Sequence, residues 1–135
     1  MVEVSIIYEG QLRCQATHGP SSATLLTDAP TDNMGRGSSF SPTDLVAVAL
    51  GTCMLTIMGI LAQRHALNLG GVKVRVVKHM VTAPVRRIGK LEVEIAVPGS
   101  ISLEEQKMLE RGARTCPVHR SLHPDIECPI TFRWG

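Results

Sequence analysis

Aromatic residues are scarce in this sequence: two Phe, one Tyr and one Trp, or 3% of 135 residues. A protein that holds nucleic acid needs rings on which bases stack, or a clear excess of positive charge against phosphate. The net charge is only +2, so no nucleic-acid partner is expected. A membrane span is not expected either, because no uninterrupted apolar run reaches the roughly 20 residues that a bilayer requires. The longest, Val46 to Ala62, is broken by Gly51, Thr52, Cys53, Thr56 and Gly59. Its flanks look like strands that need a globular partner, so it is expected to be a fully buried core helix. The first eight residues lack a basic stretch followed by a long apolar core, and no secretory signal is expected.

What is present suits a folded chain. Hydrophobic residues make up 44% and charged residues 19%, a balance that disordered segments do not show. The length suits one domain spanning residues 1–135. Four cysteines without an export signal are expected as reduced thiols in a cytoplasm, with a redox, metal-binding or packing role.

Val2 to Tyr8 is β-branched and alternating, which predicts a strand, with a turn at Glu9-Gly10. Leu12 to Thr17 and Ala23 to Thr27 are its expected neighbours. Asp28 to Phe40 is a Gly-, Pro- and Ser-rich loop, longer than most, and loops of that length often carry function. Ser41-Pro42-Thr43-Asp44 marks a helix start: a hydroxyl to cap it, a proline suited to its first position, and an acid at the positive end of its dipole. That helix is expected over Pro42 to Leu67, with Gly51 and Gly59 permitting close approach of another element. Asp44 and Cys53, nine residues apart on it, are separated by roughly 13 Å and half a turn, so Asp44 reads as a cap. Val72 to Val81 and Ile88 to Val97 alternate as half-buried strands. Ser102 and Glu105 form a capping box for a helix that carries Leu103, Met108 and Leu109 inward and stops near Cys116-Pro117. Ile126 to Trp134 closes the chain as a strand with Ile130 and Phe132 on one face. The class is α+β.

Chemistry is expected to run through cysteine. Cys53 lies mid-helix, where a free thiol can simply pack. Cys116 stands at a proline bend, and His119 three residues on could stabilise its thiolate. The same spacing could supply two zinc ligands, but no further ligand motif accompanies it. Cys14 and Cys128 are expected as packing residues, and His18, His65, His79 and His123 as surface or capping residues.

Ser41 to Met54, with Gly51-Thr52-Cys53 at its heart, and the downstream run Cys116-Pro117-Val118-His119-Arg120-Ser121-Leu122 together resemble the OsmC/Ohr family of osmotically inducible and organic hydroperoxide resistance proteins. Thr27 through Phe40 looks like a less studied branch. The resemblance implies an OsmC-like fold, antiparallel sheets packed on a long buried central helix, in an intertwined homodimer with active sites at the interface. It implies a thiol peroxidase for organic hydroperoxides, with no cofactor and no metal, recycled by an external dithiol. Cys53 would be the attacking thiolate and Cys116 the resolving thiol. The family supports its thiolate with an arginine and a glutamate. Here Thr43 stands at the glutamate position, and Arg36 is the best match for the arginine, with Arg13 second. The departure at Thr43 motivates an alternative: a non-catalytic dimeric stress protein binding a small apolar ligand at the interface.

Overall fold

Alternating β-branched residues build the first layer as predicted, with small shifts in register. A computed structural model describes residues 1–135 and divides them into two compact units, Met1–Val46 and Ala47–Gly135. In the first unit, β1 (Val4–Gly10), β2 (Arg13–His18) and β3 (Thr24–Asp28) form an antiparallel meander in chain order. The first reversal falls on Gln11 and Leu12, both at positive φ, rather than on Glu9-Gly10. A bulge between Tyr8 and Gly10 explains the shift, since it carries the strand two residues further before the chain turns.

The long loop after β3 is organised by Asp28. Its Oδ2 accepts the Ser38 hydroxyl at 2.5 Å and the Ser38 N–H at 3.0 Å. Its own N–H donates to the Phe40 carbonyl. A 3-10 turn, Thr31–Asn33, lies within the loop. Ser41 and Asp44 then cap α1 (Pro42–Arg64) reciprocally: Ser41 Oγ accepts the Asp44 N–H at 3.1 Å, and Asp44 Oδ2 accepts the Ser41 N–H at 2.9 Å. Asp44 is thus a cap, as its spacing from Cys53 requires.

In the second unit a sheet of order β4-β5-β6 comprises Lys73–Val81, Arg87–Val97 and Ile130–Trp134. It is mixed rather than wholly antiparallel: β4 and β5 form a hairpin, while β6 runs parallel to β5. The reason is the connection. α2 (Leu103–Arg114) and α3 (Pro117–Ser121) occupy the chain between β5 and β6 and return it to the end where β5 began, as a parallel pair requires. Central strand β5 buries Ile88, Leu91, Val93, Ile95 and Val97.

α1 rests on this sheet through Gly51, where a Cβ would come within 3.1 Å of Val76 and 3.3 Å of Val74. Gly59 has no neighbour for such an atom and serves no close approach. The helix is long and apolar enough to cross a membrane by length and composition, and it is not buried all round. Ala47, Leu50, Gly51, Met54, Met58 and Ala62 form a buried stripe, while Val48 and Ile60 on the far side remain 40% and 41% exposed. It ends at Arg64, short of Leu67, because His65 Nδ1 lies 2.9 Å from the Leu61 carbonyl and Ala66 turns to positive φ. α2 opens on the predicted capping box and buries Leu109 and Ala113, but Leu103 stays exposed in the first turn. Pro117 does more than stop a helix; it takes the first position of α3, with Cys116 as the cap.

Leu50 is wholly inaccessible, so Leu50→Ala is expected to cost about 2–5 kcal/mol through lost transfer energy and a residual cavity. Urea unfolding measures this, and a loss below about 0.5 kcal/mol would show that the stripe is not the core.

Candidate functional site

Three side chains at four-residue spacing, Cys53, Ile57 and Leu61, make one row along α1. A Cβ on Gly112 of α2 would run into Leu61 and come within 3.3 Å of Ile57. The absence of a side chain at Gly112 therefore seats α2 directly against that row. The rows run in opposite directions: one turn before Ile57 stands Cys53, and four residues beyond Gly112 stands Cys116. There the two thiols meet, near enough to interact as hydrogen-bond partners and, when ionised, as like charges. Sulfurs 63 positions apart in the chain are neighbours because one glycine lets two helices close.

The two thiols sit in different surroundings. Cys53 is half-buried, at the border between the seated stripe of α1 and its uncovered face. Cys116 is completely inaccessible. As the cap of α3 its Sγ accepts the His119 N–H at 3.3 Å. Burial pushes the Cys116 thiol above its ordinary 9.0; the His119 N–H opposes that, and Cys53 adds to the rise, with a smaller opposing bond from the Val118 N–H. His119 thus acts on the sulfur through its main chain rather than its imidazole.

Cys128, expected to be simple packing, belongs to this neighbourhood. It is half-buried, and its thiol is also pushed up by burial, then by Cys116, against a downward pull from Arg114. Cys14 is likewise only half-buried, in β2 of the first unit. Sequence spacing gives no hint of Cys128; the signal is the alternation of β6 read backwards into its lead-in. No group of three or more His, Cys, Asp or Glu side chains converges as a metal site, and Cys116 and His119 have no third ligand.

The arginine candidates lie in the first unit. Arg36 is exposed on the long loop, between Gly35, whose N–H donates to Pro30, and Gly37, whose N–H donates to Ala29. Arg13 faces Asp28, with Nε 3.9 Å from Oδ2. The Asp28 carboxyl is held below its ordinary value chiefly by the Ser38 hydroxyl and Ser38 N–H, with Arg13 a smaller influence. Asp28 was not singled out from the sequence, since it gathers its partners only once the loop has closed. The remaining histidines serve local roles: His18 bonds Ser21, His79 bonds Glu92, and His123 accepts the Asp125 N–H.

An α+β unit whose central helix presents one thiol to another on a neighbouring helix is a paired-thiol protein. The chain belongs to the OsmC-like protein family, which matches residues 35–131. Its structure is similar to that of a Psychrobacter arcticus 273-4 protein described as an osmotic stress induced and detoxification response protein. That pair shares 39% identity over 98% of this chain and 96% of the other, with a TM-score of 0.93. It shares its fold with a Legionella pneumophila organic hydroperoxide resistance protein, OsmC (14% identity, 98% and 96% of the chains, TM-score 0.79). The same holds for the organic hydroperoxide resistance protein OhrB of Bacillus subtilis (12%, 98% and 98%, TM-score 0.71). Among curated proteins none matches the chain.

A thiol whose folded pKa is raised adds stability that is full below the unfolded value and is lost as pH climbs through the folded one. Unfolding free energy should therefore fall above pH 9.0, the ordinary value for Cys116. Cys116→Ala should flatten that fall. Denaturation at a series of pH values compares the two, and identical slopes would overturn the assignment.

Proposed function

We propose that this protein is a cysteine-based peroxidase that reduces organic hydroperoxides and works as an intertwined homodimer in the cytoplasm. The observation that carries the reading is the meeting of Cys53 and Cys116 across the helix contact. The Cys53 thiolate attacks one peroxide oxygen and the O–O bond breaks. The other oxygen leaves with a proton as alcohol, and Cys53 becomes a sulfenic acid. Cys116 then attacks the Cys53 sulfur, water departs and a disulfide forms. An external dithiol returns both thiols by exchange. A neighbouring thiol suits this cycle, because it captures the sulfenic acid before irreversible overoxidation. The half-exposure of Cys53 leaves it reachable by a substrate, and the hydroperoxide resistance named for two structural relatives agrees with that substrate class. We assign Arg36 as the guanidinium that favours the Cys53 thiolate in the assembled protein. A charge there matters, since Thr43 at the family's glutamate position brings none.

The dimer is supported by apolar surface on each unit. On α1, Val48 and Ile60 are uncovered. The intervening Thr52 and Thr56 turn their hydroxyls back to helix carbonyls, at 2.7 Å to Val48 and 2.8 Å to Thr52, which leaves methyl groups outward. In the first unit Ile6, Ile7 and Tyr8 are each more than 60% exposed although they alternate between faces of β1. A small sheet with apolar residues on both faces calls for a covering surface.

Stopped-flow oxidation with cumene hydroperoxide and hydrogen peroxide tests the chemistry. Cys53→Ser should abolish rapid thiol loss, and Cys116→Ser should stop the cycle at a sulfenic acid trapped by dimedone. Arg36→Ala should slow oxidation of Cys53 about tenfold, because removing the guanidinium takes away support for the reactive thiolate. Rapid thiol loss that survives Cys53→Ser would sink the reading. Sedimentation should show two 14.6-kDa chains together, and Val48→Asp with Ile60→Asp should shift the population toward single chains; a wild-type monomer at micromolar concentration would refute the dimer.

A further inference from the structure

The strand that closes the chain lies against α2. Trp134 Nε1 donates to Glu110 Oε1 at 2.9 Å. One step back along the strand, the Arg114 guanidinium stands over the Phe132 ring at 5.5 Å and donates to the Ile130 carbonyl at 3.3 Å. The strand and the helix therefore run in opposite directions, so descending the strand climbs the helix. Cys128, Ile130, Phe132 and Trp134 are alternate residues, all half-buried, with exposed residues between them. They share one face, the face turned to α2. Main-chain bonds keep the lead-in regular, because Leu91 and Val93 donate to the Glu127 and Pro129 carbonyls. The next rung below Ile130 is Cys128, toward the end of α2 after which Cys116 caps α3.

On an α-helix, positions 110 and 114 lie about half a turn from position 112. Gly112 faces α1 and Cys53, while Glu110 and Arg114 face β6 and Cys128. The buried sulfur of Cys116 thus has two thiols in its surroundings, Cys53 of α1 and Cys128 of the lead-in to β6. Thiol–disulfide exchange proceeds through attack on one sulfur while the bond to the other breaks.

We propose that Cys128 is a third redox thiol, which takes over Cys116 from Cys53 and holds the disulfide for the reductant. The step rests on the peroxidase reading above and balances without a further reactant. The Cys128 thiolate attacks Sγ of Cys116 in the Cys53–Cys116 disulfide, a Cys116–Cys128 bond forms, and Cys53 leaves as a thiolate ready for another hydroperoxide. An external dithiol then attacks the half-exposed Cys128 sulfur. Cys116 leaves as a thiolate received by the His119 N–H, and the second thiol of the reductant closes its own disulfide. The advantage is release: Cys53 is freed for the next hydroperoxide while the half-exposed Cys128 sulfur awaits the reductant, Cys116 itself being wholly inaccessible.

The experiment maps disulfides by mass spectrometry after quenching with an alkylating agent, in wild type, Cys128→Ser and Cys53→Ser. Wild type given one equivalent of cumene hydroperoxide should yield Cys116–Cys128 peptides alongside Cys53–Cys116. Cys128→Ser should hold only Cys53–Cys116, and its reduction by an external dithiol should slow about tenfold. Cys53→Ser oxidised with diamide should form Cys116–Cys128 directly; because diamide needs no peroxidase chemistry, this arm stands even if hydroperoxide leaves Cys53 untouched. Absence of a Cys116–Cys128 bond in both the hydroperoxide and diamide arms would overturn the proposal. So would reduction of Cys128→Ser at the wild-type rate.

Discussion

The close seating of α2 on α1 at Gly112 is the constraint on which the thiol site depends. Any side chain at that position would collide with Leu61 and crowd Ile57, and the helices would stand apart. Protein interiors are packed to near crystalline density, so such a displacement is transmitted along a rigid element rather than absorbed locally. One turn away, the two sulfurs would part with the helices. The same approach fixes which face of α2 is left for β6, and so where Trp134, Phe132 and Arg114 interlock.

That arrangement also decides the chemistry of each thiol. Cys116 is sealed by the elements that bring it to Cys53, and burial outweighs the backbone N–H groups that favour its thiolate. A neutral buried thiol suits the resolving role proposed for it. Cys53 stands at the margin of the buried stripe. The proposed division of labour between attacking and resolving thiol thus follows from position in the fold, with little contribution from local sequence.

A second theme is apolar surface left uncovered. α1 is long and apolar enough in composition to cross a membrane, yet its buried residues form only one stripe. In the first unit, β1 carries large apolar side chains on both faces with little to shield them. Exposed apolar area on this scale is costly in water, which is the physical ground for the proposed assembly with another copy. The loop that carries Arg36 is closed by the bonds between Asp28 and Ser38.

By itself the sequence determined the elements. Period-two alternation marked the strands, Ser41 and Ser102 with their acids marked the helix starts, and the settings of Cys53 and Cys116 pointed to the family. Those signals are local, carried by residues within a turn or a strand of each other. Errors arose where a local signal has a non-local outcome. A bulge moves the first turn, one flank of α1 stays uncovered, Pro117 opens a helix, and β6 runs parallel to β5. Tertiary structure alone decided that Gly112 would meet Leu61 and Ile57, that Cys53 would therefore face Cys116, and that Cys128 would share their neighbourhood. Contacts between residues far apart in the chain depend on how whole elements cross, and crossing is set by the packing of many side chains together rather than by any short stretch of sequence.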